Sequence, residues 1–340
     1  MPVIGVLTAG GDCPGLNAVI RGVVGRSLQR DTEVVGVLNG WEGLMQGKVR
    51  ALDRDSVRGI LTRGGTILGT SRLDPYVHGD GYASVEATLR RTGIETMIII
   101  GGDGTLRSAL QLHEEGMGAV GVPKTIDNDI PATDVTFGFD TAVSIATEAV
   151  DRITSTAEAH NRIMIVEVMG RTKGWIATYA GIAGGADAIL IPEHPYDLEE
   201  VADTIRRRHR RGHSYSVVVV AEGVEPPDGE QFPAQKDAFG FARLGGVAYQ
   251  IAPVLEELTG FETRVTVLGH TQRGGTPTAA DRVLATRLGV AAADLAIDGE
   301  SGVMAALRGT EIVPVPLAEA CSGIKGVGDD LIDVAATFFG

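Results

Sequence analysis

The sequence predicts an α/β protein whose parallel sheets are covered by helices on both faces. Short apolar runs alternate along the chain with segments of helical periodicity, which is the order of a parallel sheet with crossover helices. Glycine is abundant, at 47 of 340 residues, and the glycines cluster where apolar runs end. A chain of this length is long enough for two domains of ordinary size.

The individual elements follow from these patterns. Strands are predicted in PVIGVL, VVGVL, MIII, GAVGV, RIMIVEVM, DAILIPE, YSVVVVAEG and TRVTVL. Helices are predicted to start near Asn17, to run from Leu106 to a stop at Gly116, and to include TAVSIATEAVDRITSTAEAH, GWIATYAGIAGG, LEEVADTIRRRHRRG, FARLGGVAYQIAPVLEELTG and ADRVLATRLGVAAADLAIDG. The run RRRHRR at one helix end is predicted to be a solvated face. The segment EPPDGEQFPAQKDAFG, around 225–240, is predicted to be a surface loop.

Composition and charge argue against several classes of function. The formal net charge is −14, which disfavours a general nucleic-acid or membrane-surface role. The two cysteines, Cys13 and Cys321, form no CxxC pair, so neither a zinc site nor a disulfide framework is indicated. No secretory signal precedes the first strand and no apolar run approaches membrane-spanning length, so a cytoplasmic location is expected.

Polar clusters follow the predicted strands directly, at the point where each strand ends. They occupy positions 10–12, 102–103, 124–129, 169–171, 222 and 270–273. In open α/β sheets, ligands bind beyond the carboxyl ends of the strands. The clusters therefore predict a ligand site built from several strand ends.

The motif GGDGT, at 101–105, lies between a predicted strand and a predicted helix. Such a turn offers backbone N–H groups and a helix N-terminus to a phosphate. Asp103 would repel the phosphate unless a divalent cation lay between them, and Mg²⁺ is the usual solution. The alternative is an ordinary turn in which Asp103 caps the helix. The residues by themselves leave both interpretations open.

The motif TIDND places Asp127 and Asp129 one residue apart in a polar turn. Phosphoryl transfer to an alcohol needs a base near the hydroxyl and a metal near the phosphates, and the two carboxylates can divide these tasks. The alternative is an Asx-rich loop that caps the next element. The preceding segment is not a P-loop, because Pro123 replaces the required glycine, so Lys124 remains as a point charge beside the carboxylates.

Arginines at the ends of elements are the second signature of anion binding. The planar guanidinium suits phosphate oxygens, although a surface ion pair is the commoner role for any one arginine. His270 is interpreted as a phosphate ligand because Arg273 follows three residues later, with a buried histidine or a general base as alternatives. The arginines concerned are Arg72, Arg162, Arg171, Arg264 and Arg273.

Taken together, these motifs resemble the 6-phosphofructokinase family over nearly the whole chain. GGDGT by itself is weak, because NAD kinases and lipid kinases share it, whereas the ordered set is highly specific. The motifs that occur in family order are TAGGDCPGLNAVIRG, NGWEGL, RGGTILGTSR, GGDGT, TIDNDI, GFDTA, EVMGR, AEG and VLGHTQRGGTP.

The resemblance implies two doubly wound domains with mainly parallel sheets, and transfer of phosphate to the 1-hydroxyl of fructose 6-phosphate in glycolysis. The donor domain is expected at 1–138 plus about 274–322, and the sugar-phosphate domain at 139–273 plus about 323–340. In the family, the residues that match Arg162 and Arg264 reach in from a neighbouring subunit. A homo-oligomer, dimer or tetramer, with shared active sites is therefore implied.

The resemblance also implies a role for individual residues. The expected donor-binding residues are Gly11, Arg72, Leu73, Gly102, Asp103, Gly104 and Thr105, with Asp103 holding Mg²⁺. The expected catalytic residues are Asp127 as base, with Lys124, Thr125, Asp129, Arg171 and Arg72. The expected substrate-binding residues are Thr125, Ile126, Asp127, Arg162, Met169, Gly170, Arg171, Glu222, Arg264, His270, Thr271, Gln272 and Arg273.

Two positions disagree about the phosphoryl donor. ATP-using members have glycine where Gly104 stands, whereas pyrophosphate users tend to have aspartate. Pyrophosphate users carry a lysine where Lys124 stands, whereas ordinary bacterial ATP users have glycine. An aspartate at 104 would crowd and repel an α-phosphate, so the expected donor is ATP, in the mixed-substrate, actinobacterial-type branch of the family. Pyrophosphate is the alternative donor.

Two other functions are weaker alternatives. An NAD kinase would explain GGDGT, but it leaves TIDND and HTQR without a role. A catalytically silent sugar-phosphate sensor is disfavoured because both Asp103 and Asp127 are retained.

Overall fold

The computed structural model describes residues 2–77, 79–226 and 244–339. The chain divides into two compact units, Met1–Asp140 with Arg273–Ile324 and Thr141–Gln272 with Lys325–Gly340. The boundaries expected from the sequence differ from these by one or two residues. Across the described residues, every helix is too short or too polar to cross a membrane.

The first unit is built on a sheet whose described strands have the order β11-β10-β5-β4-β1-β2-β3. The pairs β1–β2, β1–β4, β4–β5 and β5–β10 are parallel, whereas β3 and β11 pair antiparallel at the two edges. The strands are β1 (Val3–Thr8), β2 (Glu33–Val37), β3 (Val49–Leu52), β4 (Ile94–Gly101), β5 (Gly118–Pro123), β10 (Val303–Arg308) and β11 (Glu311–Pro316).

The central strand β4 explains why this unit needs helices on both faces of its sheet. Its residues Met97, Ile98, Ile99 and Ile100 are all fully buried, so side chains pointing to either face lie in the core. The helices of this unit are α1 (Leu16–Gln29), α2 (Gly40–Met45), α3 (Gly81–Thr92), α4 (Asp103–Glu114), α9 (Ala279–Ile297) and α10 (Leu317–Ala320).

The second unit has a smaller parallel sheet, with the described strands in the order β7-β8-β6-β9. These strands are β6 (Ile163–Val168), β7 (Ala188–Leu190), β8 (Ser216–Ala221) and β9 (Thr263–Val267). Its helices are most of α5 (Phe139–His160), then α6 (Trp175–Ala183), α7 (Leu198–Arg210), α8 (Val247–Thr259) and α11 (Asp329–Ala336). A 3₁₀ helix, Gly269–Arg273, follows β9.

The α/β class with mainly parallel sheets is therefore confirmed, and several elements add to the prediction. The elements that were not predicted from the sequence are the edge strands β3 and β11, the strand β10 between β11 and β5, and the helices α2, α3, α10 and α11. Helix α8 begins at Val247, later than the predicted FARLGG start. The predicted surface loop at about 225–240 lies largely outside the described residues.

The predicted solvated face at RRRHRR is wrong for part of the run. Arg208 forms an ion pair with the buried Asp187, with 2.8 Å between Nη2 and Oδ1. His209 stacks on Phe261, with 3.7 Å between the ring centroids. Tertiary partners therefore bury one face of this helix end, while Arg207 and Arg210 remain exposed.

Candidate active site

In the first unit, the turn after β1 is fixed by the segment that carries Arg72. The Gly10 N–H donates to the Ser71 carbonyl at 2.9 Å, and the Thr70 hydroxyl donates to the Gly10 carbonyl at 2.6 Å. These two hydrogen bonds hold Thr70 and Ser71 beside the glycine turn, and they therefore also fix the backbone position of the next residue, Arg72. Arg72 is exposed at this strand end, as a donor-binding arginine needs to be.

The turn after β4 presents Asp103 as the first residue of α4. The N-cap residue of the helix is Gly102, which has no side chain, and no side chain in the described part of the protein caps this helix end. The Asp103 carboxylate instead faces Arg107, one turn along the helix, with 3.0 Å between Oδ1 and Nη2. The alternative in which Asp103 caps the helix is therefore wrong. Its carboxylate lies in the first turn of the helix and pairs with Arg107, one turn further along.

Asp103 fits a magnesium ion only when phosphate oxygens complete the coordination. Among the described residues, no group of three or more His, Cys, Asp or Glu side chains could hold a metal ion. Mg²⁺ commonly binds through one or two carboxylates together with substrate phosphates and water. A single carboxylate beside a glycine-rich turn at a helix N-terminus fits that donor set.

Gly104 occupies open space in this turn. A Cβ atom built on Gly104 meets no atom within 4 Å, and its backbone is not left-handed. Gly101 differs, because a Cβ there would lie 2.3 Å from the Thr105 side chain. The fold thus requires glycine at 101 but not at 104.

Lys124, at the end of β5, is tied to the turn after β1. Its Nζ donates a short hydrogen bond to the Gly11 carbonyl, and its side chain is buried. Its backbone N–H donates to the Gly101 carbonyl at 2.9 Å, next to the β4 turn. Burial lowers the pKa of Lys124, and the nearby Arg273 lowers it further. Lys124 thereby joins three neighbouring strand ends.

Arg273 adds a second cation at the same place. A Cβ built on Gly11 would lie 2.7 Å from Arg273 Nη1, and this nitrogen donates to the Asp12 carbonyl at 3.2 Å. Among the described residues, the buried Arg273 Nε has no hydrogen-bond partner. The resemblance assigns Arg273 to the sugar phosphate, whereas its contacts here are with the first-unit turn at 11–12.

Asp127 is buried, and one of its carboxylate oxygens accepts no hydrogen bond from the described residues. Its side chain is 7% exposed, and within the described residues its Oδ1 has no hydrogen-bond partner. The loop is held by other groups: the Asp127 N–H donates to Thr125 Oγ1 at 3.0 Å, and the Thr136 N–H donates to Asn128 Oδ1 at 3.0 Å. A buried polar atom without a partner is costly in free energy and is often functional. This oxygen is suited to accept a proton.

The remaining residues of the TIDND loop are buried as well. Thr125 and Asp129 are 8% and 7% exposed, whereas Ile126 is fully buried. Ile126 was expected to bind substrate, and its burial leaves the main chain as its available contact.

In the second unit, the turn after β6 and the end of β8 meet. The Arg171 N–H donates to Glu222 Oε1 at 3.0 Å, and the Glu222 N–H donates to the Val168 carbonyl at 2.9 Å. Gly170 and Arg171 both have positive φ, at 142° and 54°. The structure therefore brings together Gly170, Arg171 and Glu222, which the sequence assigned to one sugar site, and Met169 lies directly before them with 9% exposure.

Gly223 is essential to this arrangement, so Gly223→Ala is expected to lower the midpoint of chemical unfolding. A Cβ at this position would lie 1.9 Å from the Arg171 carbonyl oxygen. Such overpacking against backbone is expected to destabilise the protein by at least ~2 kcal/mol. Gly25→Ala is the control, because its Cβ meets no atom within 4 Å and the residue lies inside α1. An equal effect of both substitutions would contradict this prediction.

Arg162 and Arg264, both expected to bind phosphate, share one carboxylate. Arg162 Nε donates to Glu262 Oε2 at 2.5 Å, and Arg264 Nη2 donates to Glu262 Oε1. The hydrogen bond from Arg162 is the main reason that the pKa of Glu262 lies below its usual value. The two arginines are therefore neighbours within a single chain.

The polar residues of the segment after β9 differ in their exposure to solvent. His270 and Thr271 are exposed in the 3₁₀ helix, as a ligand site requires. Gln272 is fully buried, and its Nε2 donates to the Gly269 carbonyl at 3.1 Å. The Gln272 side chain thus supports the helix rather than facing solvent.

Sequence reasoning missed three residues that organise the site. Arg107 could have been found from its i+4 spacing to Asp103 on a helix. Glu262 precedes Arg264 by two residues, the spacing of one strand face, although its pairing with Arg162 depends on strand register. Glu167 interrupts an apolar strand, and its buried carboxylate accepts from the Gly246 and Ala248 N–H groups at 2.7 and 2.9 Å, capping α8.

The fold is that of an α/β protein whose polar turns follow the carboxyl ends of parallel strands, where such folds bind ligands. The family model for phosphofructokinase matches residues 3–296. The chain belongs to the phosphofructokinase family.

Similar proteins are known for this chain by both sequence and structure. The pyrophosphate–fructose 6-phosphate 1-phosphotransferase of Amycolatopsis methanolica is 54% identical over 340 residues, covering 99% of each chain. The ATP-dependent 6-phosphofructokinase of Mycobacterium bovis is 53% identical over 341 residues, again covering 99% of each. The crystal structure of Pichia pastoris phosphofructokinase in the T-state matches with a TM-score of 0.84 and 32% identity, over 99% of this chain and 36% of the Pichia chain.

Proposed function

We propose that this enzyme transfers the terminal phosphate of ATP to the 1-hydroxyl of fructose 6-phosphate, giving fructose 1,6-bisphosphate and ADP. Asp127 accepts the hydroxyl proton, the sugar oxygen forms a bond to the γ-phosphorus, and the bond to the ADP oxygen breaks. The observation that carries this proposal is the buried Asp127 Oδ1 without a hydrogen-bond partner among the described residues. The reaction is that of a glycolytic enzyme of the cytoplasm.

The first unit is assigned to the phosphoryl donor. The turns at 10–11 and 102–105 offer backbone N–H groups, and Arg72 and Lys124 supply positive charge. Asp103 would hold Mg²⁺ together with phosphate oxygens, and the ion would neutralise charge on the phosphates. Thr125 and Asp129, in the same loop as Asp127, would support the transferred phosphate and the base.

The second unit is assigned to the sugar phosphate. Met169, Gly170, Arg171 and Glu222 would bind the sugar, and their mutual hydrogen bonds support a common role. The 6-phosphate would be bound by Arg162, Arg264, His270 and Thr271, with Arg273 as the further expected contact. Arginine is suited to this task because its guanidinium donates two parallel hydrogen bonds to phosphate oxygens.

ATP is favoured over pyrophosphate by the open space at Gly104. With no atom within 4 Å of a Cβ at this position, the turn leaves room for an α-phosphate and a nucleoside. Pyrophosphate is the second candidate, and Lys124 is the observation that favours it. Its buried ammonium lies at the donor turn, where it can neutralise a small, highly charged anion. The names of the two relatives described above do not decide between the donors, because one relative is named for pyrophosphate and the other for ATP.

A coupled assay for fructose 1,6-bisphosphate tests this proposal directly. Purified enzyme with fructose 6-phosphate and Mg²⁺ is expected to turn over with ATP. Turnover with pyrophosphate and none with ATP would establish the second candidate. Turnover with neither donor would favour a sensor, and phosphorylation of NAD instead of the sugar would identify an NAD kinase.

A shared active site in a homo-oligomer, dimer or tetramer, is part of the proposal. If Arg162 and Arg264 serve the active site of a neighbouring subunit, Arg162→Ser and Asp127→Asn damage different halves of one site. Each variant by itself is expected to be nearly inactive, and mixed oligomers are expected to regain part of the wild-type rate. The measurement is turnover after the two variants are dissociated and reassociated together. Verified mixed oligomers without any recovery would show that each site is built from one chain.

A further inference from the structure

Two arginines converge at the amino-terminal ends of neighbouring strands in the second unit. Arg162 directly precedes β6, and Arg264 is the second residue of β9. The parallel register pairs Ile163 with Thr263 and Met164 with Arg264. The Ile163 N–H donates to the Glu262 carbonyl at 3.0 Å, so the backbone fixes this strand end. The arginines therefore meet because of strand register and not because of side-chain flexibility.

The Glu262 carboxylate bridges these two arginines with both of its oxygens. Oε2 accepts from Arg162 Nε at 2.5 Å, while Oε1 accepts from Arg264 Nη2. A phosphate monoester binds an arginine pair in the same way, with a separate oxygen for each guanidinium. Glu262 thus holds the position that an anionic ligand of this pair would take.

This cluster is accessible and carries excess positive charge. The side chains of Arg162, Arg264 and Glu262 are 27%, 53% and 38% exposed. Over the described part of the chain, Glu262 is the single carboxylate within ion-pair distance of either arginine. One negative charge therefore faces two positive charges, and a dissolved anion can reach them.

Half-exposed ion pairs contribute little to stability, so Glu262 is a weak occupant. A phosphate monoester carries nearly two negative charges at neutral pH and offers three strong acceptor oxygens. It can therefore replace a single carboxylate at an arginine pair. Once it is bound, the displaced carboxylate lies nearby and repels it.

We propose that Glu262 is an internal competitor for the anion site of Arg162 and Arg264, which a phosphate monoester must displace in order to bind. This inference rests on the proposed function, in which the monoester is the 6-phosphate of the sugar. Glu262 is then a specificity-determining residue: it occupies the arginines in the absence of ligand and disfavours anions that carry a single charge.

Glu262→Gln tests the proposal, because it keeps the shape of the side chain and removes the charge. Binding of inorganic phosphate, measured calorimetrically at constant ionic strength, is expected to be ~2- to 10-fold tighter than in the wild type. Glu256→Gln is the matched control: its carboxylate accepts from the Thr263 N–H at 2.9 Å, at the start of the same strand, and its described hydrogen bond involves no arginine. Phosphate binding by the control is expected to match that of the wild type.

A second readout uses the enzyme reaction. Glu262→Gln is expected to lower the KM for fructose 6-phosphate by a similar factor, with the effect falling on KM rather than on kcat. If Glu262→Gln does not fold, Glu262→Ser is expected to change phosphate affinity in the same direction. Weaker phosphate binding and a raised KM would show that Glu262 supports the arginines, and an unchanged affinity would show that it does not compete. Either result overturns the proposal.

Failure of the proposed function and failure of the Glu262 proposal would give different experimental results. If wild-type enzyme has no turnover with either donor, the proposed function fails, while the phosphate titration still tests the arginine site. If the Arg162→Ser variant binds phosphate as tightly as the wild type does, the arginine pair is not an anion site. The inference about Glu262 then fails, whatever the enzyme assay shows.

Discussion

Asp127→Asn is expected to reduce kcat by a factor of ~10²–10⁴, the typical contribution of a general base. Asparagine keeps the size of the side chain, but its amide cannot take a proton from the sugar hydroxyl. The wild-type Oδ1 is buried and lacks a hydrogen-bond partner among the described residues, so no fold-stabilising bond to this oxygen is lost. The KM for fructose 6-phosphate is expected to stay near the wild-type value. Steady-state kinetics with saturating donor measures both quantities.

Asp129→Asn is the matched comparison for this prediction. Asp129 lies in the same loop with the same 7% exposure as Asp127, and it has a supporting role in the proposal. A smaller loss of kcat is therefore expected. The thermal midpoint of Asp127→Asn is expected to stay near that of the wild type, because Oδ1 has no hydrogen-bond partner among the described residues. Near-normal turnover of Asp127→Asn, or a larger loss for Asp129→Asn, would rule out Asp127 as the base.

Gly104→Asp is expected to reduce kcat/KM for ATP by ~10- to 100-fold while leaving pyrophosphate use nearly unchanged. The new carboxylate would lie against the α-phosphate of ATP, a group that pyrophosphate lacks. Protein stability is expected to be retained, because a Cβ at 104 meets no atom within 4 Å. The measurement is kcat/KM with each donor on the same preparation of enzyme.

Gly104→Asn separates the effect of charge from the effect of size. Asparagine fills the same space as aspartate without the negative charge. If repulsion dominates, Gly104→Asn retains most of the ATP activity that Gly104→Asp loses. Equal losses with both donors in Gly104→Asp would mean that the turn itself is disturbed, and the assignment of Gly104 to donor choice would then be wrong.

The central part of the fold could be predicted because its strands are buried on both faces. The run ending at Ile100 is apolar without interruption and stops at glycines, which defines strand and turn together. The edge strands could not be found in this way. In both β3 and β11 most residues are exposed or only partly buried, so neither strand has the continuous apolar run that marks β4. Helix α3 has only two large apolar side chains among its buried residues, Val85 and Leu89.

The candidate site was predictable in its residue types but not in its contacts. Strand-end clusters and the family motifs placed Asp103, Asp127 and Lys124 in the sequence. That Asp127 Oδ1 lacks a partner in the described structure, or that Lys124 reaches the Gly11 carbonyl, depends on three-dimensional packing. Arg208 shows the same limit: its charge predicts solvent exposure, and only the buried Asp187 explains why it is largely enclosed.

The hydrogen bond from Lys124 to Gly11 bears on how donor preference can evolve. Gly104 can change without disturbing its neighbours, whereas replacing Lys124 by glycine would remove a buried side chain and leave the Gly11 carbonyl without this donor. The two positions therefore differ in mutational tolerance, and the effect of changing one is expected to depend on the other. A lineage that exchanges one donor for the other would be expected to substitute position 104 first. Position 124 would follow only after a second residue had taken over the bond to Gly11.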